Sequence, residues 1–254
     1  MVVVVVVVVL LVVLNIIYPY IKSRWGEELK YSLRSIDKNL KSDFRVIIYG
    51  TKAPDWLNLD TVEFILSKKY ISPSKIGSTQ FNQGIIFQKI IDRTDLDDFV
   101  FFNDDIYLIK ELNDLSKVYF SSKKPPVVNV FTERNSWNLA RYNTIKRLMG
   151  QGYEGINYET HLPYKINTKK LKRLQKVLSG EELLATCYYN TYNVKPESHR
   201  NKVSVLFYKD EHFSESLKKL NSGDYYWLNH NDNGLGVVKE YLEKTFTRKS
   251  KFEC

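Results

Sequence analysis

The residues of this 254-residue chain best suited to chemistry stand where an apolar run stops. Asp98–Phe102 (DFVFF) gives way abruptly to Asn103-Asp104-Asp105. Two adjacent carboxylates after a hydrophobic strand offer hard oxygen ligands. Mg²⁺ or Mn²⁺ takes such ligands while bridging phosphates and neutralising the charge that develops on a nucleotide leaving group. The competing reading is a polar strand-to-loop turn, because Asn and Asp are common turn residues. Asp95, Asp97 and Asp98 read as a solvated turn ahead of the strand.

His161 lies in Glu159-Thr160-His161-Leu162-Pro163, ahead of an expected helix. A lone histidine is usually structural, but this one sits in a loop, where functional groups gather, and is placed to act as general base toward an acceptor hydroxyl. Arg141, on the helix before it, has the planar fork that clamps a phosphate through two hydrogen bonds; alone it is one of many surface arginines, as is Arg34 on the first helix. His230 and Asn231, within Asn229–Asn233, either supply further metal ligands or belong to a helix cap built on Asp232 or Asn233. His199 and His212 lie in polar surroundings and receive no role.

The elements that must carry these residues alternate. A first strand is predicted over Val9–Tyr18, then a helix over Glu27–Leu40 with Leu29, Leu33, Ile36 and Leu40 on one face. Short β-branched runs follow at Arg45–Tyr49 and Val62–Leu66, a helix at Phe81–Ile91, and the strand before Asn103. The second half reads as helical: Trp137–Met149, Thr168–Leu178, Glu181–Tyr192 and Gly234–Phe246, with a strand at Val203–Tyr208. Strands alternating with helices point to a mostly parallel central sheet covered on both faces, an α/β fold whose ligands bind beyond the carboxyl ends of the strands. With no repeat and no Pro/Gly-rich linker, residues 1–254 read as a single domain; Lys123-Lys124-Pro125-Pro126 is a turn.

Composition narrows the class. Hydrophobic residues make up 43% of the chain, which excludes a disordered tail, and 11 glycines exclude a collagen-like scaffold. A chain this long buries about 70–75% of the surface its unfolded form exposes, enough for a substantial core. Cys187 and Cys254 are too few for a disulfide framework or a zinc site and point to a reducing, cytoplasmic setting. The net charge of +9 favours polyanionic partners: nucleotide phosphates, anionic glycans, nucleic acid or an acidic membrane surface. Its densest stretch, Lys165–Lys176, reads as a solvated helix face. Met1–Leu14 is almost pure valine, with eight in succession. It is shorter than the roughly 20 apolar residues of a membrane span and has no basic leader. The run therefore reads as low-complexity sequence leading into the first strand. A membrane anchor is the alternative, and a peripheral contact at the inner membrane is compatible with the charge.

In this order the segments resemble the Stealth proteins, sugar-phosphate transferases of bacterial capsule synthesis and of lysosomal-enzyme GlcNAc-1-phosphate tagging. Glu27–Ile36 (EELKYSLRSI) is similar to their first-helix signature, and Pro54-Asp55-Trp56-Leu57 to their PxWL segment. Phe81-Asn82 with Phe101–Asp105 is similar to their FNS…YLNDD block, and Arg141-Tyr142 with Thr160–Tyr164 to their RY…HxP block. Asp224–Asn233 and Ser250–Glu253 resemble the family's LND…SxFE end. The resemblance implies a GT-A-like nucleotide-sugar transferase. Asp104 and Asp105, with Asn231 and His230, would hold Mg²⁺ or Mn²⁺. Asp105, Arg141 and His161 would be catalytic. Asn82, Asn103, Arg34 and Lys22 would line the site of a nucleotide-sugar donor, a UDP-sugar foremost. Two departures touch that site: Ile17–Lys22 carries no acid where the family's opening strand supplies one, and His230 stands where the family often has Asp. Transfer of a sugar-1-phosphate and transfer of the sugar itself both fit these residues, onto a hydroxyl of an anionic glycan or other polymer. Glycosylation of modified bases in DNA, or a non-catalytic nucleic-acid-binding module, are the alternatives that the charge and 18 tyrosines support.

Overall fold

The computed structural model describes residues 13–22, 25–67, 86–115, 120–121, 136–176, 178, 182–195 and 198–254. The first strand, β1 (Leu14–Tyr20), is followed by α1 (Glu28–Asn39), β2 (Phe44–Gly50) and β3 (Val62–Leu66). A helical segment over 86–91 (α2) leads to β4 (Asp98–Phe101) and β5 (Ile106–Leu108). After β6 (Phe120–Ser121) come α3 (Ser136–Gly150), β7 (Tyr164–Asn167), α4 (Thr168–Gln175) and α5 (Leu184–Thr191). The chain closes with β8 (Ser198–His199), α6 (Arg200–Val203), β9 (Ser204–Phe207), α7 (Phe213–Ser222), β10 (Trp227–His230) and α8 (Leu235–Thr245).

The central sheet has the order β3-β2-β1-β4-β7. β3, β2, β1 and β4 run parallel, and β7 closes the edge antiparallel to β4. Successive strand residues point to opposite faces, and both faces are covered. Ile16, Tyr18, Val46, Ile48 and Val100 pack with Leu29, Leu33 and Ile36 of α1. Ile17, Ile47, Tyr49, Phe99 and Phe101 pack against α2, α4 and α5. The fold is thus the mostly parallel α/β sheet that the sequence predicts, with helices on both sides.

A second sheet, β5-β10-β9, was not anticipated as a unit. β10 pairs antiparallel with β5 and parallel with β9. Helix α1 stitches the outer edge of β5 to the central layer through a polar stripe. Ser32 Oγ donates to Ile106 O at 2.6 Å, Ser35 Oγ accepts from Leu108 N at 2.9 Å, and Asn39 Nδ2 donates to Leu108 O at 2.6 Å. Spacings of three and four bring these side chains to one helix face, where they satisfy backbone groups that burial would otherwise leave unpaired.

The sequence-based elements need four corrections. The first strand ends at Tyr20 rather than Tyr18; Val9–Val12 lie outside the described residues, with the rest of the valine run. Lys165 is in β7, so the Lys165–Lys176 stretch is a strand followed by a helix and not one helix face. His161 consequently precedes a strand. Helix α7 and strand β10 were also unassigned. No helix among the described residues is long and apolar enough to cross a membrane.

Candidate functional site

The parallel strands end along one rim, and the acidic pair sits on it. Ile106 N donates to Asn103 O at 3.3 Å, so Asn103–Ile106 form a turn with Asp104 and Asp105 at its centre. The turn carries the chain from β4 in the central sheet to β5 in the second. Ile17 is in register with Phe101, and the charge of Asp104 reaches the phenol of Tyr20 at the end of β1.

This corner concentrates negative charge. Burial pushes the Asp104 carboxyl well above the usual range, and the charges of Asp105 and then Glu28 add to the rise. Glu28, buried at the first turn of α1, was not among the sequence candidates. A first-turn acid reads simply as a complement to the helix dipole, so nothing in the sequence set it apart. Burial also raises the phenols of Tyr18, Tyr20 and Tyr107, with Asp104 among the contributing charges for each. Asp105 Oδ1 is buried with no hydrogen-bond partner among the described residues. A buried carboxylate oxygen without a donor is costly unless a cation or water meets it. The donor set therefore fits a hard divalent ion held by two carboxylates. Mg²⁺ is commonly bound through one or two carboxylates, its shell completed by substrate phosphates and water.

His161 stands beside this pair. Its Nδ1 is 3.9 Å from Asp105 Oδ2, beyond hydrogen-bond length but close enough for Asp105 to orient the ring. Tyr208 meets the imidazole edge to face at 6.0 Å between ring centres. The backbone of His161 is left-handed, with φ of 49°, a region uncommon for residues other than glycine, although histidine enters it more readily than most. The loop before it is anchored to α5. Glu159 Oε1 accepts from Thr186 N at 3.0 Å, Asn190 Oδ1 accepts from Ile156 N at 3.0 Å, and Thr186 Oγ1 accepts from Tyr158 N at 3.1 Å. Burial raises the Glu159 carboxyl to about 7, against the pull of the Thr186 and Ala185 donors.

Other candidates are placed differently. His230 cannot serve as a metal ligand as it stands, because both ring nitrogens are engaged: Nδ1 at 3.0 Å from Asn231 O and Nε2 at 3.0 Å from the Tyr107 hydroxyl. The ring also stacks on Tyr107. Asn231 makes the turn that opens α8: its Oδ1 accepts from Asn233 N and Gly234 N, and its Nδ2 donates to Tyr208 O. The cap expected from Asp232 or Asn233 is not made: the N-cap of α8 is Gly234, with no side-chain cap, and Asn231 shapes only the turn before it. Among the described residues, no three His, Cys, Asp or Glu side chains are grouped to hold a metal, so the four-residue ligand set is not assembled.

Arg34 is a structural tie rather than a donor contact. Its Nε and Nη2 meet Glu253 Oε1 and Oε2 at 2.7 and 2.6 Å, and its Nη1 donates to Phe246 O at 2.9 Å. Glu253 is held by Ser250 N and Oγ and bridges to Leu57, while Cys254 N donates to Trp56 O. Segments from the first helix, from Pro54–Leu57 and from Ser250–Glu253 thus converge on one buried ion pair. Their shared task is to close the chain's end onto the sheet. Lys22 and Asn103 lie past the ends of the adjacent strands β1 and β4, Lys22 exposed and Asn103 half-buried. Arg141 is half-buried on α3, and Asn82 lies outside the described residues.

Sequence inspection passed over Asn229. It is fully buried in β10, opposite Ile106, and its Nδ2 donates to His161 O at 2.9 Å. Its place next to His230 in an asparagine-rich string was the only signal.

No protein-family model and no curated protein matches this chain. Among solved structures it is similar to the glycosyltransferase GlyE of Streptococcus pneumoniae TIGR4, with 9% sequence identity and a TM-score of 0.47. That match covers 93% of this chain and 61% of GlyE, so the chain spans under two thirds of that protein's length. At such distance the likeness carries no functional argument. What the chain itself presents is an α/β fold with two carboxylates at the carboxyl rim of a mostly parallel sheet and a histidine beside them.

Proposed function

We propose that this protein is a metal-dependent transferase acting on a nucleotide-sugar donor, with Asp104, Asp105 and His161 at its centre. The observation that carries the reading is Asp105, whose two oxygens face different tasks. Oδ1 is buried and has no partner among the described residues, and Oδ2 faces His161 Nδ1 at 3.9 Å. On this reading Asp104 and Asp105 Oδ1 hold Mg²⁺ or Mn²⁺, which when bound supplies charge neutralisation to the donor's diphosphate.

The remaining work falls to the chain. Asp105 Oδ2 beside Nδ1 favours the tautomer protonated there, which leaves Nε2 of His161 to take the proton of an acceptor hydroxyl. Arg141 and Lys22 are assigned to the donor's phosphates as cationic contacts. Burial of the acidic corner lowers the local dielectric, so each of these interactions is stronger than it would be in water. Catalysis then rests on positioning and charge rather than on a covalent intermediate.

A thermal-shift screen of nucleotide sugars, run with and without Mn²⁺, tests the assignment. The expected result is a donor that raises the melting temperature only when the cation is present. Stabilisation by no nucleotide sugar, or equal stabilisation without cation, overturns it. With a UDP-sugar selected, the released nucleotide identifies the reaction: UMP marks sugar-phosphate transfer and UDP marks sugar transfer.

A further inference from the structure

We infer that Asn229 is the positioning residue of His161, a role that rests on the catalytic reading of His161 given above. Three observations carry it. First, Asn229 is completely buried at the centre of the three-stranded sheet, paired with Ile106 of β5 on one side and Leu206 of β9 on the other. Its backbone is therefore fixed by the same strand that begins directly after Asp105. Second, its carboxamide donates to His161 O at 2.9 Å, across 68 residues of sequence. The carbonyl it holds belongs to a histidine in the left-handed region, a conformation uncommon outside glycine, and the bond holds it there. Third, the orientation of the amide follows from that bond, since a carbonyl accepts only from the NH₂ group. Oδ1 is then buried with no partner among the described residues, so the hydrogen bond that the carboxamide does make is the one from Nδ2 to His161 O.

One rigid strand pair thus fixes both members of the Asp105–His161 relationship. β5 anchors the acidic turn, and β10, through Asn229, anchors the backbone of the histidine. The sheet sets their separation, and the loop from Gly155 to Pro163 follows. The hydrogen bond is made to the histidine's backbone carbonyl rather than to its imidazole.

Two replacements remove the donor: Asn229→Leu, which keeps the side-chain volume, and Asn229→Ala, which reduces it. In whichever is folded by circular dichroism, the His161 Cα and ring Cε1–H resonances are compared with wild type. They are identified by their loss in His161→Ala, and His199 and His212 serve as internal references. The expected result is a shift of the His161 resonances with those of the references unmoved. On the donor selected by the screen, kcat is expected to fall about 10–100-fold, as for a displaced catalytic group, with donor KM changed less than about threefold. Adding Asn229→Leu to His161→Ala is expected to cost nothing further. Unmoved His161 resonances, or losses that multiply in the double variant, overturn the proposal. Should the wild-type chain transfer neither sugar nor sugar phosphate, the enzymatic reading falls by itself, and the resonance comparison alone decides whether Asn229 positions His161.

Discussion

His161 Nδ1 and Asp105 Oδ2 stand 3.9 Å apart, brought together from a loop and a turn 56 positions distant in sequence. The separation suits a pair that tightens when a substrate arrives, since catalytic hydrogen bonds are often long before the complex forms. His161→Ala and Asp105→Ala are each expected to lower turnover by at least about 100-fold, the low end for a positioned acid–base group. The check is steady-state product formation on the screened donor; near-normal turnover in either variant removes that residue from the mechanism.

Asp104 makes a prediction about stability. Its carboxyl is raised by burial, by Asp105 and by Glu28, so the folded state holds the proton more tightly than the unfolded one. The stability this provides is present at low pH and is lost as pH rises through the raised value. Asp104→Asn removes the buried charge. Without added cation the variant is expected to melt at least about 2 °C above wild type at pH 8, a shift that ~1 kcal/mol produces in a chain of this size. The difference should vanish toward pH 4. Melting curves across that range decide it, and a variant no more stable than wild type at pH 8 contradicts the charge repulsion.

Glu159 makes another. Its carboxyl is raised from 4.5 to about 7 by burial, so its contribution is full below about pH 4.5 and fades as pH climbs through 7. A shift of this size corresponds to roughly 2–4 kcal/mol at 1.36 kcal/mol per unit. Glu159→Gln, which keeps the acceptor for Thr186 N, is expected to flatten the decline between pH 5 and 8 seen in urea unfolding of the wild type. Parallel curves for the two proteins would show that Glu159 does not titrate there.

The Arg34–Glu253 pair separates architecture from chemistry. Both side chains are nearly enclosed, with 11% and 2% of their surface exposed. Burial alone would raise the Glu253 carboxyl; the bonds from Arg34 and Ser250 hold it below its ordinary value instead. Arg34→Ala or Glu253→Ala strands a buried charge and is expected to cost about 3–5 kcal/mol in urea unfolding. Arg34→Met with Glu253→Leu should cost less than either single change. If Arg34 acted on the donor, Arg34→Ala would lower donor affinity with stability unchanged.

Much of the scaffold could be read from the residues. The β-branched run of Arg45–Tyr49 and the apolar spacing of Leu29, Leu33 and Ile36 marked the central sheet and its first helix, because a strand buried on both faces reads as a continuous apolar run. The acidic turn was legible for the same reason: the run Phe99–Phe102 ends on it. What escaped was set by long-range pairing. β5 and β10 are three- and four-residue strands whose signal is too short for periodicity, and they exist because each pairs with the other and α1 covers the edge. His230 looked like a ligand because its Tyr107 partner is 123 positions away. Arg34 looked like a phosphate contact because Glu253 is 219 positions away. Asn229 and Glu28 carried no local mark, since a carboxamide in a strand and an acid at a helix start have ordinary explanations until their neighbours are known.

The most direct measurement is Mn²⁺ binding followed by electron paramagnetic resonance, with UDP present, in wild type and in Asp105→Asn. Loss of the free Mn²⁺ signal at one ion per wild-type chain, with weakened binding in Asp105→Asn and tighter binding in wild type as pH rises, is the expected outcome. Equal binding in the two proteins, or none in the wild type, would contradict the assignment of the acidic turn as the cation site.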